Sequence, residues 1–182
     1  MVNKKGFTLI ELLIVIAVLA ILTAAVVVVL NPAQLLAQAR DSQRMSDLDT
    51  LKSSIALYMT DVSPISIGLT ANCYAYSAGA GCGGRTTRTL IASASRAIDG
   101  TGWVPIDFTD ISAGSPISAL PVDPTNSTTY FYSYAPEATA ITFEIDANLE
   151  STKYVAKESE DGGSSTTLYE VGTDPGLNLF EL

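Results

Sequence analysis

Histidine is absent from this 182-residue chain. That removes Ser-His-Asp and Cys-His catalysis, histidine-ligated zinc and haem, and the commonest general base. Two cysteines are too few for a four-thiolate metal or iron–sulfur site. Basic residues are scarce too: 10 Lys and Arg stand against 19 Asp and Glu, a formal charge of −9. Such a surface repels phosphate, so nucleic acid is not an expected partner. No nucleophile–base constellation and no phosphate-cradling glycine loop is present, so no catalytic residue is expected and the chain does not read as an enzyme. Charged residues make up only 16% of the chain and apolar ones 47%, which implies that the apolar residues are concentrated somewhere.

They are concentrated at the N-terminus. Phe7 to Leu30 reads FTLIELLIVIAVLAILTAAVVVVL, with Glu11 as its one ionisable side chain. At ~1.5 Å per residue this makes a helix of roughly 36 Å, enough to cross a hydrocarbon core of ~30 Å. Its β-branched residues are no obstacle, because in lipid a helix lets a single segment satisfy its own backbone. Lys4 and Lys5 precede it, and the positive-inside rule then keeps the N-terminus cytoplasmic and exports the chain beyond residue 30. An ordinary cleaved signal fits poorly, since its apolar core runs ~7–15 residues and ends at a small-x-small site. Here Ala24-Ala25 is followed by VVVVL. A plain anchor accounts for the length but not for Glu11, a carboxylate whose burial in lipid costs roughly 2–3 kcal/mol or more.

The segment KKGFTLIELLIVIAVLAIL resembles the class III leader and N-terminal helix of type IV pilins and type II secretion pseudopilins. The matching residues are Lys4-Lys5-Gly6, then Phe7-Thr8-Leu9-Ile10-Glu11, and the resemblance covers about the first 30 residues. It implies cleavage by a prepilin peptidase between Gly6 and Phe7, N-methylation of Phe7, and an assembly role for Glu11, fifth residue of the mature chain. It implies partners as well: membrane lipid and an inner-membrane assembly platform first, then identical or related subunits in a helical filament. A subunit that adds head-to-tail makes a contact that does not close, and so a fibre. The family's proline often stands slightly earlier than Pro32. Pro32 lacks a donor and disfavours α at Asn31, which predicts a kink or an unwound turn.

Residues 31–60 read as an amphipathic continuation of the helix. Leu48, Leu51, Ile55, Tyr58, Met59 and Val62 recur at 3–4 spacing and form one face that docks the exported domain. Arg40, Asp41, Arg44, Asp47, Asp49 and Lys52 lie on the other side, either solvated or pairing between subunits. Residues 61–182 are expected to form an exported globular α+β domain, with residues 1–6 as leader and 7–30 as the membrane and filament-core helix. Cys73 and Cys82 close a short loop in an exported region, and a disulfide is expected. Residues 85–99 are expected to form a short helix with Arg85, Arg88 and Arg96 on its outer face. Leu120-Pro121-Val122-Asp123-Pro124 resembles a Leu-Pro-x-Asp-Pro tract of major pseudopilins, and Asn126-Ser127-Thr128 is a glycosylation sequon.

Residues 130–135 and 141–149 read as an antiparallel hairpin. Strict alternation places Ile141, Phe143, Ile145, Ala147 and Leu149 inward and Thr142, Glu144, Asp146 and Asn148 outward. Residues 153–158 and 166–171 are expected to add two strands. The whole is then a long helix on a small antiparallel sheet, which is also the pilin-like architecture. No metal-ligand set and no obligatory cofactor is expected. Calcium stays open at the acidic turn of Glu158, Glu160, Asp161, Gly162 and Gly163, since the resembled pseudopilins can hold calcium in a C-terminal loop. The leading expectation is a filament subunit, moving from the cytoplasmic membrane into an extracellular or periplasmic fibre. The rival is a membrane-anchored binding module or adhesin that never polymerises, which needs neither Glu11 nor the Gly6–Phe7 junction.

Overall fold

The computed structural model describes residues 6–76, 82 and 85–181. Lys4 and Lys5 of the leader lie outside the described residues. The chain divides into two compact units, one ending at Ala37 and one beginning at Gln38.

In the first unit, α1 spans Leu9–Leu30 with Thr8 as its N-cap. Its apolar side chains run around the whole circumference and stand exposed, the pattern of a helix meant for lipid or for other helices. Asn31 then takes a left-handed conformation, φ 40° and ψ 74°, which asparagine tolerates better than most residues. The Asn31 carbonyl and side chain both accept from the Gln34 N–H, at 3.0 and 3.4 Å, so Asn31 restarts the helix as a cap. Pro32 opens α2, Pro32–Asp61, where its missing N–H would have no helical partner in any case. The break expected at Asn31-Pro32 is one residue long.

In the second unit, α2 packs on a five-stranded sheet of order β2-β1-β3-β4-β5. The strands are β1 Asn72–Ala75, β2 Thr89–Ala92, β3 Ser133–Glu137, β4 Thr142–Ala147 and β5 Tyr169–Gly172. β1 and β2 run parallel and every other pair is antiparallel. The expected stripe is the docking face: Leu48, Leu51, Ile55 and Tyr58 are buried, with Met59 and Val62 packed at its edge. It meets Tyr134, Phe143 and Ile145 from the sheet and Trp103, Ile106 and Phe108 from the loops. The arrangement is α+β, as the alternating and 3–4 patterns indicated.

Three local expectations are corrected. The helix expected over 85–99 is absent: Thr89–Ala92 is a strand, because β1 offers its edge and Ala71 O and Ala75 O receive Thr89 N and Ser93 N. Its arginines do not share an outer face. Arg88 donates to Pro136 O and Arg96 to Leu120 O. The strand expected at 153–158 is a 3-10 helix, Val155–Ser159. Ser151 O accepts from both Tyr154 N and Val155 N, which winds the segment, and Glu158 accepts from Leu149 N, which ties it back. The strand expected from residue 130 begins only at Ser133.

The fourth correction matters most. Glu144 and Asp146 do not face water, since both are fully buried, while Ile141 is exposed. The central strands β3 and β4 are covered on both sides. Opposite α2 lies a second small core of Cys73, Cys82, Ala135, Leu179 and Phe180. Cys73 and Cys82 form the expected disulfide, with Cα atoms 6.5 Å apart. Alternation separates the two faces of a strand, but it does not say which face is wet.

Candidate functional site

The N-terminal segment is built for exposure. Gly6 and Phe7 are exposed, and a Cβ added at Gly6 would meet nothing within 4 Å. Nothing in the described fold requires glycine there. Among the described residues one helix is long and apolar enough to cross a membrane, with a span of Leu9–Val27. At its start Glu11 N donates to Thr8 Oγ1 at 3.2 Å, while Thr8 N and Thr8 Oγ1 donate to Glu11 Oε2 at 2.9 and 2.8 Å. This is a capping box, in which two otherwise orphaned backbone donors are satisfied reciprocally. Reading Glu11 only as a charge in an apolar run overlooks this. The signal was the spacing Thr-x-x-Glu.

Part of the charged side of α2 is engaged within the chain, with Asp41 and Arg44 buried, while Asp49 stays exposed. Arg44 is wholly buried. Its guanidinium donates to Asp41 at 2.7 Å, to both oxygens of Asp123 at 2.7 and 3.1 Å, and to Glu150 at 3.3 Å. Arg40 pairs with Glu150 as well. Asp41 in turn accepts from Glu150 N and Ser151 N. Burial alone would push the Arg44 guanidinium down, but the carboxylates of Asp123 and Asp41 hold it above the ordinary arginine value. The Leu-Pro-x-Asp-Pro tract therefore has a structural task. Its Asp123 locks the loop onto α2 and also caps Thr125 N and Asn126 N. Tyr132 donates to Asp47 at 2.8 Å, and Asp49 is left exposed. In the sequon, Asn126 is half-buried and its Oδ1 is buried.

In the acidic turn, two carboxylates are engaged by backbone donors. Glu158 Oε1 is taken by Leu149 N, and Asp161 accepts from Gly163 N and Glu170 N. Glu160 is exposed. Glu158 and Asp161 thus serve the chain's own backbone, and among the described residues the carboxylates of this turn do not gather as a group of three. Three other carboxylates do converge. Glu144, Asp146 and Glu170 are buried together on the sheet face opposite α2, a grouping that depends on strand register and that spacing alone did not reveal. Burial pushes Asp146 and Glu144 up from the ordinary carboxylate range, and burial with Glu144 and Asp161 nearby takes Glu170 to about 8. Burial likewise lowers Arg85, against the opposing pull of Asp146.

Comparison with known proteins bears on the first site. The family model of the prokaryotic N-terminal methylation motif matches residues 1–27. That motif is the class III leader of type IV pilins, and with the apolar helix it supports a type IV pilin-like protein. No curated protein and no solved structure matches the chain.

Proposed function

We propose that this type IV pilin-like chain is a structural subunit of a type IV filament, either a pilin or a type II secretion pseudopilin. A prepilin peptidase cleaves between Gly6 and Phe7 and methylates Phe7. The subunit waits in the cytoplasmic membrane with its C-terminal domain exported, then polymerises through α1 at an inner-membrane assembly platform. The observation that carries this reading is the methylation motif at residues 1–27, joined to a helix apolar on every side. Lipid and neighbouring apolar helices are the two surroundings that suit such a helix, and passage from one to the other needs no refolding. The unconstrained Gly6 supports cleavage, because the glycine answers a demand from outside the fold.

Cleavage creates a positive amine on Phe7, one helical turn from Glu11. In a growing filament, Glu11 of the incoming subunit neutralises the Phe7 amine of its neighbour, and in a low-dielectric setting that pair fixes register. The capping box favours a second reading, an anchored binding module that never polymerises, because Thr8 gives Glu11 a role within its own chain. Intact-mass analysis of the protein from its native host tests the processing step common to the filament reading. The mature chain is expected to start at Phe7 with one added methyl group. A chain starting at Met1 or near Ala25 would overturn it.

A further inference from the structure

Strand geometry gathers three carboxylates where water does not reach. Period-two alternation sets Glu144 and Asp146 on one face of β4, and the register of β4 with β5 places Glu170 opposite Asp146. Their exposures are 0, 0 and 3%. One oxygen from each lies within 4.8 Å of the others. One acceptor on each glutamate is used: Glu144 Oε2 takes Leu179 N at 2.6 Å and Glu170 Oε2 takes Ser165 N at 2.7 Å. Glu144 Oε1 and both oxygens of Asp146 are buried and meet no donor from outside the three carboxyl groups, which stand within hydrogen-bond reach of one another. A fully buried carboxylate that meets no donor but its fellow carboxyl groups is rare in folded proteins and calls for an explanation, either shared protons or a cation.

We propose that Glu144, Asp146 and Glu170 form a binding site for one hard divalent cation, on the sheet face opposite α2. Three oxygens within 4.8 Å of one another can surround a common centre at about 2.8 Å or less, and a small side-chain adjustment brings them to the ~2.3–2.6 Å typical of calcium. The donors are all carboxylate oxygens, which suit calcium, magnesium or manganese better than the softer zinc or copper. The charges agree as well. Arg85, which donates to Ser133 Oγ, Asn148 Oδ1 and the Asp146 carbonyl, answers one of the three negative charges. Arg88 and Asp174 also act on Glu144, with opposite signs, and Asp161 acts on Glu170. With Arg88 and Asp174 offsetting each other, Arg85 leaves the three carboxylates with at least two negative charges unbalanced, which favours a cation of charge two or more. Of the three, Glu170 alone lines a cavity of about 490 Å³, together with Arg85, Asn148, Ser165 and Thr167. The site is distinct from the acidic turn, and it does not depend on the filament role.

The test uses the full chain purified in detergent, stripped with chelator and titrated with CaCl2 or MgCl2. Equilibrium dialysis counts the bound ion and thermal melting reads its effect. One ion per chain is expected, with the melting temperature raised by about 5–10 °C at a hundredfold excess over Kd. Asp146→Asn should lose both the ion and the shift, while Glu160→Gln on the exposed turn should keep both. Should Asp146→Asn fail to fold, Glu170→Gln reads the same outcome. The proposal is overturned if neither cation binds the wild type saturably at millimolar concentration. It is also overturned if the variant that folds binds like the wild type. In the first case the carboxyl groups hold protons in place of a metal.

Discussion

Glu11 has one partner within its own helix and, in the proposed filament, another on the neighbouring subunit. Glutamine can close a capping box as glutamate does, but it cannot neutralise an amine. Glu11→Gln therefore separates the two roles, whereas Glu11→Ala removes both. Asp123 allows a similar argument about stability. Removing it leaves the buried Arg44 guanidinium without its bidentate partner, and breaking a buried pair by taking one member costs about 3–5 kcal/mol. Asp123→Ala should lower the unfolding free energy by that amount, measured by chemical unfolding of the full chain in detergent. Glu170 adds a dependence on pH. Its folded-state value of about 8 lies above the ordinary glutamate value of 4.5. The folded chain therefore holds a proton that the unfolded chain has released. With chelator present, stability should fall as pH rises from about 4.5 to about 8, and calcium should flatten that fall. A melting temperature independent of pH across this window would contradict the assignment.

The disulfide and the C-terminal segment form a lid on the second face of the sheet. Reducing Cys73–Cys82 releases a short loop, worth roughly 2–3 kcal/mol in the chain-entropy model. Thiol labelling of unreduced protein should find both cysteines blocked, and reduction should lower the melting temperature without abolishing the fold. This lid also explains where the sequence could be read and where it could not. The Leu48–Val62 stripe and the Phe143–Ile145–Ala147 alternation are local periodicities, and both meet in the core. The partners that bury Glu144 come from far along the chain: Leu179 lies 35 residues away. No local pattern shows that the polar face of β4 is roofed by the C-terminal segment. Thr89–Ala92 was hidden for the same reason, because its pairing partner is an edge supplied by Asn72–Ala75. Arg44 misled in the opposite direction. A charge on the outer arc of an amphipathic helix reads as solvated until Asp123, 79 residues on, is seen to cover it.

The chain as a whole divides its tasks between two units. The first carries the methylation motif and an apolar helix. The second carries a sheet whose central strands are covered on both faces, with Arg44, Asp41 and Asp123 paired internally. On this account assembly depends on α1. The most direct test is the yield of sheared filaments relative to total mature subunit in the native host, compared between wild type and Glu11→Gln. The wild-type subunit should be recovered in the sheared fibres. Glu11→Gln should be inserted and processed normally yet yield at least about tenfold fewer filaments, because one charge is left buried without its partner. A wild-type chain confined to the membrane fraction, or a Glu11→Gln yield equal to wild type at equal subunit levels, would contradict polymerisation through a charge pair on α1.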